Sequence, residues 1–167
     1  MTVLSVARDV ASVVGLDLPE MLYGTDDRTA IELRNVIRDA AEHILEAHDW
    51  PQLGGAVADP LPLDFARWRH DGLYQSGWYA VSAEGASKPT FTADDDMFAL
   101  SERLLRLCAV WKWKANKGLP YGQDFDEYER ARALAQTNRT PVVIGRARGI
   151  KGLVTTWVNV DVDWPDA

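Results

Sequence analysis

Residues 100–138 read LSERLLRLCAVWKWKANKGLPYGQDFDEYERARALAQTN. Leu100, Leu104, Leu107 and Trp111 recur at steps of 4, 3 and 4, the spacing of one apolar helix face. Lys112, Lys114 and Lys117 fill its last turns, where cations complement the helix dipole. Gly118 ends it and Pro120 follows. Upstream, Thr92 with Asp95 fits a capping box, with Asp94, Asp95 and Asp96 in the first turn. The spacing therefore predicts a helix that starts at Thr92 or shortly after. Past the KGLPYG break, another helix runs from about Asp124 to Asn138, with Phe125, Tyr128, Ala131, Leu134 and Ala135 as its apolar stripe.

Two more helices precede these. Val3, Val6, Val10, Val13 and Val14 keep helical spacing over residues 3–14, and Gly15 is the expected stop. GLDLPEMLYG then reads as a loop. Thr25 is the expected cap of a longer helix, with Asp26 and Asp27 at its positive end. Ile31, Leu33, Ile37, Ala40, Ala41, Ile44 and Leu45 form its apolar face. It ends near His48, ahead of Pro51. About 23 residues give a rod of roughly 35 Å.

Residues 51–91 are rich in glycine and proline, with Trp68, Tyr74, Trp78 and Tyr79 interleaved. They read as irregular structure with one small hairpin. Residues 139–167 lose the helical period. VTTWVNVDV alternates Val154, Thr156, Val158, Val160 and Val162 against Thr155, Trp157, Asn159, Asp161 and Asp163, the pattern of one strand. A strand must pair, so its partner is either another protein or residues 78–91 of the same chain. The expected fold is mainly α. Residues 1–138 form a four-helix, bundle-like body with a turn-rich or hairpin insertion at 51–91, and residues 139–167 form an extended C-terminal arm.

The composition bounds the function. The chain has 167 residues, 47% of them hydrophobic and 26% charged, which fits one globular domain. No apolar run approaches the roughly 20 residues of a membrane span. The start, with Arg8 and Asp9 inside its apolar pattern, does not read as a signal peptide. Cys108 is the single cysteine, which excludes an intrachain disulfide and fits a reducing compartment. The net charge of −7 argues against a protein that coats nucleic acid. That charge is uneven: −8 over residues 1–138, +4 over 139–152 and −3 over the remainder. The basic stretch, with Arg146, Arg148 and Lys151, reads as an arm that orders on an acidic protein surface in preference to phosphates.

Catalytic and metal signatures are weak. His43 and His48 are five apart on one helix and do not share a face. Asp94, Asp95 and Asp96 are accounted for by a helix start rather than a cation site. GxSxG, P-loop, GxGxxG and HExxH patterns are missing. The reading is therefore not an enzyme, with no cofactor and no metal. A cell-wall or nucleic-acid hydrolase and a small DNA-binding regulator are the rival readings. Trp111 and Trp113 point roughly 200° apart. One packs inside, and the other meets a neighbouring molecule or covers a loop of its own chain.

These residues together resemble a known family. Trp111-Lys112-Trp113-Lys114, then Lys117-Gly118-Leu119 and Tyr121, then Asp124-Phe125 and Tyr128-Glu129 carry the resemblance. Asp49-Trp50 after the long helix and Leu61-Pro62-Leu63-Asp64-Phe65 add to it. The pattern is similar to the head-to-tail adaptor (connector, or head-completion) proteins of tailed bacteriophages and gene transfer agents, over residues 3–138. Many relatives carry a longer β-rich insertion between the second and third helices, so here it is expected to be trimmed to a hairpin or less.

The resemblance implies a virion protein, made in the host cytoplasm and placed at the head–tail junction. It implies a ring, usually twelvefold, beneath the portal protein, through which DNA passes without specific binding. The next tail component, a stopper or nozzle, docks below. Trp111, Trp113, Tyr121, Phe125 and Tyr128 are the candidate ring or body interface. The candidate portal-binding arm comprises Arg146, Arg148, Ile150, Lys151, Leu153, Val154, Thr156, Trp157, Val158, Val160, Val162 and Trp164.

Overall fold

The computed structural model describes residues 1–50, 53–56, 65–68 and 73–137. Four helices carry the body: α1 (Val3–Val14), α2 (Arg28–Ala47), α3 (Glu102–Asn116) and α4 (Gly122–Thr137). Between α2 and α3 lie six short strands: β1 (Gly54–Ala56), β2 (Phe65–Trp68), β3 (Leu73–Ser76), β4 (Ala80–Val81), β5 (Ser87–Lys88) and β6 (Met97–Phe98). The chain is mainly α with a strand-containing insertion, as its patterning predicts.

The helices bury most of the stripes their sequence marks, with Val13 of α1, 55% exposed, standing outside the core. α1 buries Val3, Val6, Ala7, Val10 and Ala11. α2 buries Ala30, Leu33, Ile37, Ala40, Ala41, Ile44 and Leu45. α3 meets them with Leu104, Leu105, Cys108, Ala109 and Val110. Alanines face the α2–α3 contact on both sides, so the backbones come close, with Cys108 Sγ 3.8 Å from the Ala40 carbonyl oxygen. Each fully buried Val, Leu or Ile stabilises the body by about 1.5–3 kcal/mol. Lys112–Asp39 (2.7 Å) and Lys117–Glu32 (2.8 Å) tie the outer edges of α3 and α2. Pairs at the surface are weak contributors, because water screens them.

The helix stops follow the glycines. Gly15 sits at φ 76°, past the end of α1, in the left-handed region that L residues avoid. Gly118 does the same after α3 at φ 67°. There the Leu119 N–H donates to the Lys114 carbonyl (2.9 Å) and the Gly118 N–H to the Ala115 carbonyl (3.1 Å), satisfying carbonyls the helix leaves open.

Three expectations need correction. The third helix starts at Glu102, behind Ser101, and not at Thr92. Residues 92–96 spend their carboxylates on a tight turn. Asp96, fully buried, accepts from the N–H groups of Thr92 (2.6 Å) and Ala93 (3.0 Å) and from Lys88 Nζ (2.6 Å). Asp94 Oδ1 accepts from the N–H groups of Leu22 (2.8 Å) and Tyr23 (3.1 Å). The backbone carbonyls of Asp96 and Asp94 then accept from the N–H groups of Val3 and Leu4, at 2.7 and 3.2 Å. The turn thus caps α1 instead of starting α3.

The second correction is at the start of α2. Its cap is Asp27, whose carboxylate accepts from the N–H groups of Thr29 and Ala30. Thr25 stands outside the helix, its Oγ1 accepting from the Asp27 N–H at 3.1 Å.

The third is the insertion, which is more than a hairpin. β3 lies between β1 and β2 in one antiparallel three-stranded sheet, and β4 between β5 and β6 in another. The first sheet pairs Gly55 with Tyr74 and Trp68 with Tyr74 on its two sides, with a bulge between Phe65 and Arg67. In the second, Ala80 pairs with Lys88 on one side and Phe98 on the other. Both edges of β4 are therefore already filled by β5 and β6. Tyr79, Phe91 and Phe98 pack beneath this sheet, Tyr79 meeting Phe91 edge-on at 5.2 Å.

Candidate functional site

The α3–α4 hairpin gathers the aromatic residues that its sequence singles out. Trp111, on α3, is the hub. Its ring centroid lies 5.3 Å from Phe125, 6.2 Å from Tyr121, 6.2 Å from Tyr128 and 5.6 Å from His43 of α2. Phe125 and Tyr128 are 6.4 Å apart. They are neighbours because i and i+3 share a helix face. Lys112 Nζ stands 5.4 Å from the Trp111 ring centroid, within cation–π range.

Burial changes steeply across this cluster. Tyr128 is fully buried, Trp111 is half-buried, and Phe125, Tyr121 and Leu119 are 37, 43 and 45% exposed. The cluster is therefore rooted in the core and opens at the tip of the hairpin. Trp113 lies apart from it, buried on another side of α3 with Lys117 Nζ 5.7 Å from its ring. The hairpin brings Trp111, Tyr121, Phe125 and Tyr128 together and leaves Trp113 out. Leu119 was not among the expected interface residues. The Lys117-Gly118-Leu119-Pro120 turn was its signal, because a Gly–Pro reversal leaves the residue between them outside both helices.

Burial shifts the titratable groups in the root toward their neutral forms. Burial pushes the Cys108 thiol up to about 12 and raises the Tyr128 hydroxyl further. Burial, and then the Lys112 charge, hold the His43 pKa below its ordinary value. A thiol kept protonated is a poor nucleophile.

Lys114 Nζ reaches both oxygens of Asp124, at 2.9 and 2.7 Å, and fixes the angle between α3 and α4. Ala131 and Ala135 pack on the core, whereas Leu134, expected in the same stripe, is 59% exposed. It borders a shallow groove of about 550 Å3 with Arg103, Gln123, Asp126 and Arg130.

The other expected sites fall as follows. His48 lies edge-on to Trp50 at 6.4 Å, one helix end away from His43. Among the described residues, no cluster of three or more His, Cys, Asp or Glu side chains is placed to hold a metal ion. No helix among them is long and apolar enough to cross a membrane. The arm residues Arg146 to Trp164, and Leu61 to Asp64 of the insertion, lie outside the described residues. Set against known protein families, curated proteins and solved structures, the chain matches none of them.

Proposed function

We propose that this chain is a structural virion protein, an adaptor that binds the portal as a ring, joins capsid to tail and lengthens the DNA channel. One observation carries the reading. The residues that resemble the adaptor family, from Trp111 to Tyr128, fold into an aromatic cluster whose outer members Tyr121 and Phe125 stand at the surface, with Leu119 of the same turn exposed too. Contiguous apolar surface of this kind marks an interaction site, and aromatic residues concentrate in interface cores. In the ring, this tip meets the neighbouring subunit in a head-to-tail contact that repeats until it closes. Residues 139–167 serve as the portal-binding arm, and their alternating Val154–Val162 stretch adds a strand to a portal sheet. The acidic balance of the body keeps DNA from sticking as it slides past. The role is assembly and not catalysis.

The test is native mass spectrometry of the full chain mixed with the portal protein of the same genome. One copy per portal subunit is expected, with incomplete loading for Tyr121→Ser/Phe125→Ser. A folded chain that stays monomeric and leaves the portal bare would overturn the reading.

A further inference from the structure

Residues 16–27, between α1 and α2, read LDLPEMLYGTDD, with four acids and no base. The loop is pinned from inside. Arg8 donates to the carbonyls of Pro19 (2.9 Å) and Glu20 (3.1 Å), and Asp94 holds the N–H groups of Leu22 and Tyr23. Beside and between these anchors the loop turns two apolar side chains outward, Leu18 at 60% and Met21 at 44% exposed. They line a groove of about 320 Å3 together with Asp17 and Glu20. Asp26 stands between Thr25 and Asp27, which line it too. The carboxylates of Asp17, Glu20 and Asp26 have no hydrogen-bond or ion-pair partner among the described residues.

Such a surface has a definite complement. Open carboxylates around exposed aliphatic side chains fit a segment that alternates cations with aliphatic residues. This chain contains one: residues 146–153 read RARGIKGL, with Arg146, Arg148 and Lys151 beside Ile150 and Leu153, and no acid. We propose that the groove of the α1–α2 loop is the docking site of the chain's own Arg146–Leu153 stretch. Eight residues separate Thr137, the end of α4, from Arg146, and they can span up to about 30 Å.

The other exposed apolar surface, the α3–α4 tip, suits this segment less. Three of the carboxylates beside it are already paired, Asp39 with Lys112, Asp124 with Lys114 and Glu129 with Arg132. The inference goes beyond the adaptor reading and does not depend on it. It gives the basic stretch a seat on the body, independent of any portal.

The experiment uses the full chain, isotope-labelled, and compares wild type with Arg146→Glu/Arg148→Glu/Lys151→Glu by amide NMR. At about 0.01 M salt, where screening extends over roughly 30 Å, the signals of Leu18, Met21 and their neighbours should differ between the two proteins. The difference should collapse near 1 M salt, where the screening length is about 3 Å. Adding Asp17→Lys/Glu20→Lys/Asp26→Lys to the triple variant should restore the wild-type salt dependence of the loop. Two outcomes overturn the proposal, each with the helix signals unchanged. In one, the loop signals are identical in both proteins at low salt. In the other, the differences centre on Tyr121 and Phe125. No portal is present in this experiment, so its failure leaves the adaptor reading untouched, and the reverse holds too.

Discussion

The two ends of α2 are finished by opposite means. At the N-terminal end everything is local. Asp27 leaves the helix at φ −62°, ψ 122° and turns its carboxylate back on the N–H groups of Thr29 (3.3 Å) and Ala30 (3.1 Å). At the C-terminal end no glycine stands ready, and His48 is simply extended. The open carbonyls are met from outside the helix. Trp50 Nε1 donates to the Ile44 carbonyl at 2.7 Å, and Gln75 Nε2, from β3, donates to the Leu45 carbonyl at 2.9 Å. Gln75 Oε1 accepts from the Trp50 N–H at 2.9 Å. One fully buried amide thus closes a helix, a turn and a strand together. A local cap stabilises a helix, whereas a remote one also fixes where the insertion sits on the body.

That contrast is testable, and the remote end should show the largest effect. Gln75→Ala orphans the Leu45 carbonyl and the Trp50 N–H in the core. At about 1–3 kcal/mol for each buried unsatisfied group, denaturant unfolding should show a loss of about 2–6 kcal/mol. A loss below 1 kcal/mol would mean that water or a shifted backbone replaces the amide, and the remote cap would not be the device described. Trp50→Phe removes the indole donor to Ile44 together with three heavy atoms of a fully buried side chain, so a cavity cost adds to the lost hydrogen bond. The hydrogen-bond part of that cost is about 1–3 kcal/mol, and the whole is read from the same curves.

A second remote cap, at α1, carries a charge and so adds a pH signature. Burial pushes the Asp96 carboxyl up, but the Lys88 ammonium and the N–H groups of Thr92 and Ala93 outweigh it and hold its pKa below the ordinary 3.8. The folded chain therefore holds this proton less tightly than the unfolded one. The stabilisation is complete above the unfolded pKa and is lost as pH falls through the folded value. Asp96→Asn should cost about 1–2 kcal/mol at pH 7. It should also flatten the acid limb of the stability–pH curve below about pH 4. An acid limb identical in slope to wild type would show that other carboxylates set it.

The same division explains what the sequence discloses. The bounds of α1, from Val3 to its stop at Gly15, read correctly because start and stop lie within one window, although Val13 of the expected stripe is 55% exposed. The start of α3 misleads because Thr92 and Asp94–Asp96 have the composition of a helix cap, while their partners, Lys88, Leu22 and Tyr23, arrive from other segments. Strands of two to four residues are too short to show a period, so both small sheets escape the pattern. In the candidate site, the Trp111-to-Tyr128 motif marks the aromatic cluster. Its exposure gradient is not legible: Phe125 and Tyr128 share a stripe, yet one is 37% exposed and the other fully buried. Packing against α2 through His43 makes that difference, and no local signal encodes it.

The smallest expected effect sharpens the local end. Asp27→Asn preserves an oxygen acceptor at the same position, and Asn caps about as well as Asp. Asn keeps one of the two acceptor oxygens that Asp27 turns on Thr29 and Ala30 and loses the charge–dipole interaction, about 0.3–1 kcal/mol for an exposed side chain at low salt. Asp27→Ala removes the acceptor as well and should cost about 1 kcal/mol. The gap between wild type and Asp27→Asn should shrink as salt rises, because screening weakens the charge term, whereas the gap between the two neutral variants should not. If Asn and Ala proved equally costly, the carboxylate would act through its charge alone. The N-terminal end of α2 would then be finished by electrostatics, and the contrast with its hydrogen-bonded C-terminal end would be one of force as well as distance.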